Sequence, residues 1–193
     1  MNAATRTSFV ITHPEVTIDP LVPVPAWGLS PVGRTRAAAL SGTPWAASVG
    51  RIVCSTERKA IETAEILGRD LGLGWTADRE LGEHDRSATG YLTGADYAAA
   101  VEAFFASPSV SFRGWETADQ AQNRIVAAVR RWAAAADVTT AYVIHGGVGT
   151  LLYCALTGAV IDRGHDQPGQ GSWYAFDPTA WTAAQPWRRV DLG

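Results

Sequence analysis

The sequence predicts an α/β fold, a three-layer α/β/α sandwich with a mostly parallel central sheet. Two observations carry that expectation. Short apolar runs rich in β-branched residues stand at 8–12, 51–54 and 141–144, and such runs read as buried strands. Each leads, directly or through a longer connection, into a stretch whose apolar residues have helical spacing. Strand, loop and helix in repetition favour parallel pairing with helices on both faces. The length, 193 residues, suits one domain over 1–193 with a modest insertion.

The first run, Ser8-Phe9-Val10-Ile11-Thr12, stops at His13-Pro14, because proline cannot donate a ladder hydrogen bond. Pro14, Pro20, Pro23 and Pro25 then favour an extended connection. Ser30 and Pro31 mark a helix start, N-cap followed by first helical position, for a helix running to about Leu40. The run 51–54 feeds a second helix, whose Ala60, Ile61, Ala64, Leu67 and Leu71 share one face. From Trp75 to Trp115 the pattern is irregular except for a helical patch at 95–105, and 85–115 reads as a cap over the site. Thr117 and Gln120 fit a capping box, with Ala121, Ile125, Ala128, Val129 and Trp132 along one face of the helix that follows. The run 141–144 ends at His145-Gly146-Gly147, and an apolar helix continues through Leu156. A last pair of strands is expected at 173–176 and 188–190.

Composition narrows the function classes. The formal net charge is −3 with no basic or acidic block, which gives no electrostatic footprint for nucleic acid or an anionic membrane. Residues 1–8 are polar and lack the apolar core of a signal peptide, and no apolar run is long enough to span a bilayer. Cys54 and Cys154 both sit in apolar surroundings, so they read as reduced structural thiols in a soluble cytoplasmic protein. Oligomeric state is open. Trp173, Trp181 and Trp187 fit either a core edge or an interface.

Ligands of open parallel sheets bind beyond the carboxyl ends of the strands. His13 and His145 both fall there. Taken singly, His13 reads as a packed strand-end residue, and His145, followed by two glycines, is the more suggestive of the two. Gly146 and Gly147 add backbone N–H groups that can face an anion at a helix start. Arg58 and Lys59 place two cations on the first turn of a helix, where the dipole disfavours them unless an anion offsets them. Glu83, within the polar stretch 81–86, reads either as a solvated loop residue or as a site acid.

These segments together resemble the histidine phosphatase superfamily, the phosphoglycerate-mutase-like proteins, over about 8–176. Phe9-Val10-Ile11-Thr12-His13 is similar to the strand before the nucleophilic histidine. Leu29-Ser30-Pro31-Val32-Gly33 is similar to the next helix, and 54–64 to the segment with a phosphate-binding arginine. Leu81-Gly82-Glu83 resembles the proton-donor segment, and Val143-Ile144-His145-Gly146-Gly147 the second histidine. The resemblance implies catalysis without metal or other cofactor. His13 would form a phosphohistidine, His145 would contact the phosphoryl oxygens, and Glu83 would protonate the leaving oxygen, a role requiring a raised pKa. The ligand so implied is a small phosphorylated substrate, or a phosphate or sulfate ion.

The chain departs from the family pattern at the cations. Thr12 stands where the family has arginine, leaving at best one hydroxyl for phosphate. Pro14 replaces a glycine, although one branch of the family reads His-Pro-Glu. The second family arginine aligns with Lys59; Arg58 is the alternative if it rotates inward. Arg86 and Arg163 are candidates to compensate. Two functions therefore compete, a phosphomonoester hydrolase of low or specialised activity and a catalytically inactive phospho-ligand binding or scaffold protein. A metal hydrolase built from the histidines is a third reading, with little ligand-like spacing beyond His84-Asp85 and His165-Asp166. The cap aromatics Tyr91, Tyr97, Phe104, Phe105 and Trp115 fit a leaving-group pocket or simply core.

Overall fold

A computed structural model describes residues 6–183 and 185–192; of the polar segment 1–8, residues 1–5 lie outside them. β1 (Ser8–Thr12) is buried along its whole length. It is flanked by β4 (Thr140–Ile144) in parallel and β5 (Ser172–Asp177) antiparallel, so its residues need apolar character on both faces. β2 (Arg51–Cys54) pairs in parallel with β4 on one side and with β3 (Trp75–Ala77) on the other. The strand order is β3-β2-β4-β1-β5-β6, with β6 (Thr182–Ala183) and β7 (Arg188–Arg189) both antiparallel to β5. The parallel half matches the expectation. β3 and β6 escape the sequence reading because each is very short and without a buried face.

The helices form as their caps dictate. Ser30 Oγ accepts from Gly33 N at 3.1 Å to open α1 (Pro31–Ala39). α2 (Arg58–Leu71) closes on Gly72 in the left-handed conformation. Thr117 and Gln120 complete the expected capping box of α4 (Ala118–Ala135). α3 (Gly94–Ala106) occupies the helical patch of the cap region, and α5 (Gly146–Thr157) follows β4 directly.

Alternation along the strands divides the core between two layers. Val10, Tyr142, Ile144 and Tyr174 face α3, α4 and α5, while Phe9, Ile11, Ala141 and Val143 face α1 and α2. The free thiols of Cys54 and Cys154 are buried, and burial pushes Cys54 up to about 12. The C-terminal tryptophans pack within the chain. Trp173 lies against Trp45 at 5.4 Å, Trp187 against Tyr174 at 4.6 Å, and Trp181 against Phe176 at 6.1 Å between ring centroids. Among the described residues, no helix is long and apolar enough to cross a membrane.

Candidate active site

The parallel strands β1 and β4 are in register, Thr12 opposite Ile144, so the next residue of each, His13 and His145, emerges at one edge. Their rings lie 5.2 Å apart in an edge-to-face arrangement. The backbone of His13 is fixed on both sides: its N–H donates to Ile144 O at 3.1 Å, and its carbonyl accepts from Gly171 N at 3.2 Å. Beyond it, Ser30 N donates to Glu15 O at 2.9 Å, and Glu15 pairs with Arg36 at 3.0 Å. The His13-Pro14-Glu15 turn is thus clamped onto α1. Gly33 is required there, since a Cβ would lie 2.0 Å from Glu15 O.

His13 Nδ1 lies 2.8 Å from Pro14 O. A carbonyl only accepts, so Nδ1 carries the proton and Nε2 keeps its lone pair. Burial, with His145 and Lys59 nearby, lowers the pKa of His13 to about 3, so the ring is neutral at ordinary pH. His145 is fully buried, and neither ring nitrogen has a hydrogen-bond partner. Burial lowers its pKa as well, against the opposing charges of Glu57 and Glu83.

The opposite wall is ionic. Lys59 is 4% exposed and lines the cavity with His13, Glu83, Arg86 and Gly146. Its Nζ donates to Val24 O at 3.1 Å and pairs with Glu57 Oε2. Glu57 Oε1 accepts from Glu83 N at 3.0 Å and lies 3.3 Å from His145 Nε2. Burial would raise Glu57, but His145 and Lys59 hold its pKa down to about 2. The cavity itself, about 150 Å³, adjoins a second of about 240 Å³ lined by Trp27, Tyr91, Leu92 and Tyr97. Arg86 lines both, donating to Tyr97 Oη at 3.0 Å.

The structure therefore places the expected residues unevenly. His13, His145, Glu83, Lys59, Arg86 and Gly146 converge. Arg58 does not: its side chain is 63% exposed and donates to Glu62 Oε1 at 2.9 Å, one helical turn on. Of the alternatives, Lys59 faces the cavity. Arg163 pairs with Glu102 at 3.2 Å, away from the cavity. The anions expected to offset the cations at the start of α2 are the chain's own carboxylates, Glu57 and Glu62.

Two expectations need correction. Thr12 is fully buried and does not offer its hydroxyl to the cavity. Its Oγ1 lies 2.5 Å from Gln167 Oε1 and accepts from Ser172 N at 3.1 Å. Glu83 has a lowered pKa, not a raised one. Its carboxylate accepts from Gly147 N at 3.1 Å and Val148 N at 3.0 Å, capping α5, and from His84 N at 3.1 Å. Burial opposes the charge, but the His84 hydrogen bond and the charges of His84, His145 and Arg86 hold Glu83 well below the usual range.

Glu57 and Gln167 line the cavities without having been singled out from the sequence, and His84 and Asp166, considered there only as metal ligands, line them too. His84 stacks on Phe104 with centroids 4.2 Å apart. Asp166 is raised by burial, although Thr150 Oγ1 donates to it at 2.9 Å. For Glu57, the signal was its neighbour: a cation committed to the interior at Lys59 calls for a nearby anion. Of the cap aromatics, Phe104, Phe105 and Trp115 belong to the core, Phe105 and Trp115 also reaching a cavity wall, whereas Tyr91 and Tyr97 line the second cavity outside the core. Among the described residues, no group of three or more His, Cys, Asp or Glu side chains is placed to hold a metal ion.

Comparison with solved structures returns the same fold. Mycobacterial glucosyl-3-phosphoglycerate phosphatase bound to inorganic phosphate is 24% identical, with a TM-score of 0.76 over 95% of this chain and 94% of that one. Bacillus stearothermophilus YhfR is 23% identical, with a TM-score of 0.75 over 88% of this chain and 90% of that one. No curated protein matches the chain. The model of the histidine phosphatase superfamily (branch 1) matches residues 24–184, a span that holds Lys59, Glu83 and His145 and begins after His13. The strand-end histidine pair, the buried cation on α2 and the acid over α5 thus belong to a chain of the histidine phosphatase superfamily.

Proposed function

We propose that the protein is a phosphomonoester hydrolase acting through a phosphohistidine on His13. The observation that carries this is the state of the His13 ring. Pro14 O fixes the proton on Nδ1, and Nε2 is left unprotonated at a cavity edged by Lys59, Arg86 and Gly146. In the first step Nε2 attacks phosphorus, the bond to the ester oxygen breaks, and that oxygen takes a proton from Glu83. In the second, water attacks phosphorus and returns a proton to Glu83, the P–N bond breaks, and inorganic phosphate leaves. Positioning and charge stabilisation supply most of the rate in such transfers.

Glu83 is held ionised by its surroundings, so its proton has to arrive with the substrate. A phosphomonoester monoanion, with a second pKa of about 6, brings that proton into the cavity, and its own negative charge beside Glu83 raises the carboxyl so that the two can share it. The leaving group then faces Trp27, Tyr91, Leu92 and Tyr97, which suits an apolar or aromatic alcohol. On this reading the segment 85–115 is the cap, since Tyr91 and Tyr97 come from it. Phosphate and vanadate complexes of the mycobacterial phosphatase support a small phosphorylated ligand.

One observation favours a second reading, binding without turnover: Lys59 is already neutralised by Glu57. Hydrolysis of an aryl phosphate in EDTA by the unmodified chain and by His13→Ala separates the two. Turnover that survives EDTA and falls by about 10⁴-fold or more in the variant supports the hydrolase. Equal rates in the two proteins would move the assignment to a binding protein.

A further inference from the structure

The cavity lacks an arginine at position 12, and the residue standing there is bonded elsewhere. What it is bonded to supplies the inference. Thr12 Oγ1 lies 2.5 Å from Gln167 Oε1, within the range of an O–H···O bond and short of the usual N–H···O range. Thr12 Oγ1 also accepts from Ser172 N at 3.1 Å, while the carbonyl of Ser172, at 3.2 Å, is the poorer acceptor for its single proton. The hydroxyl therefore donates to the Gln167 oxygen, and the amide orientation is set. The amino group faces the other way, toward the start of α5. A Cβ on Gly146 would lie 2.5 Å from Gln167 Nε2, so glycine next to His145 makes room for it. The Gln167 backbone is pinned too, its N–H donating to Asp166 Oδ1 at 2.7 Å. The side chain lines the same cavity as His13, Lys59 and Gly146.

We infer that the Gln167 carboxamide, oriented by Thr12, donates a hydrogen bond to a phosphoryl oxygen on the side of the cavity where the family arginine is missing. The inference rests on the phosphoryl-transfer reading of this cavity. Thr12 is then a positioning residue and not a ligand. A neutral planar NH₂ replaces part of a guanidinium fork, giving direction without net charge.

Gln167→Glu is the decisive variant, because it keeps the acceptor for Thr12 and exchanges the donor for an anion. Vanadate inhibition and kcat/KM on an aryl phosphate are each expected to weaken by about 10²-fold or more. Thr12→Val frees the amide to turn and is expected to lose about tenfold, mainly in kcat, while Thr12→Ser stays within about threefold of the parent. Thermal melts identify any variant that fails to fold; Gln167→Ala, expected to lose about tenfold or more, then serves as the second test. Turnover and vanadate inhibition that stay within about threefold in both Gln167 variants would overturn this inference and leave the hydrolase reading intact. A parent chain that binds neither orthophosphate nor vanadate would overturn both.

Discussion

The two walls of the cavity behave in opposite ways. On the strand side, His13 and His145 are buried, and burial lowers the pKa of both. On the side of α2 and α5, Glu57 and Glu83 are half-buried and charged. Burial disfavours the ionised form of all four, so neighbouring charges together with hydrogen bonds decide the outcome. His145 has no partner for either ring nitrogen, and His13 spends its single donor on Pro14 O. Glu83, by contrast, accepts from Gly147 N, Val148 N and His84 N, and Glu57 accepts from Glu83 N beside the Lys59 ammonium. One wall is thus prepared to donate an electron pair. The other is prepared to receive a proton and to release it later.

Removing the acid tests the second wall most severely. Glu83→Ala is expected to lower kcat by about 10³-fold, with a smaller loss for a substrate whose leaving group needs no proton. An equal loss on both substrates would show that Glu83 only holds α5. Next in size is the cation. Lys59→Met is expected to cost about 10²-fold in kcat/KM, whereas Arg58→Ala, which leaves Glu62 its second partner Arg34, stays within about twofold.

The pH profile sharpens the contrast between the walls. With His13 at about 3, the nucleophile stays unprotonated well below neutrality, so kcat/KM has no acid limb near pH 6. Glu83 is already ionised, so the required proton belongs to the substrate and is lost as pH rises through about 6. Steady-state kinetics should show a plateau below that point and a fall of about tenfold per pH unit above it. A profile that instead rises through pH 6 would mean that a histidine of the cavity titrates there. A smaller effect is expected in the favourable direction. Glu57→Gln releases Lys59 from its carboxylate, and orthophosphate should bind about fivefold to tenfold tighter by calorimetry. Weaker binding would show that Glu57 orders the cavity more than it competes with the ligand.

Most of the fold was legible because local signals and tertiary packing agree. β1, β2 and β4 are β-branched runs buried on both faces, and Ser30, Thr117 and Gln120 form the caps that their side chains permit. His13, Glu83 and His145 were legible because each follows a strand or short helical turn at a fixed offset. The polar state of the site was not. Glu83 is held ionised against its burial by His84, His145 and Arg86, and its carboxylate caps α5 residues far along the chain. Gln167 lies in a Gly- and Pro-containing loop without periodicity, and it meets Thr12 only because β5 returns antiparallel to β1. The clue in the sequence was Thr12 itself: a lost arginine calls for another donor, though nothing local says where it stands. The choice between Arg58 and Lys59 likewise depended on a tertiary detail: Arg58 stays at the surface and reaches the buried Glu62 one turn on.

The central claim is that His13 Nε2 forms the covalent bond to phosphorus. The most direct test is acid-free quenching of the enzyme during turnover of a radiolabelled phosphomonoester, followed by mapping of the labelled peptide. A phosphoryl label that is stable in alkali, labile in acid, carried by the peptide containing His13 and absent from His13→Ala is the expected result. Turnover that continues at full rate in His13→Ala, with no label on the unmodified chain, would mean that water attacks directly and would contradict the account.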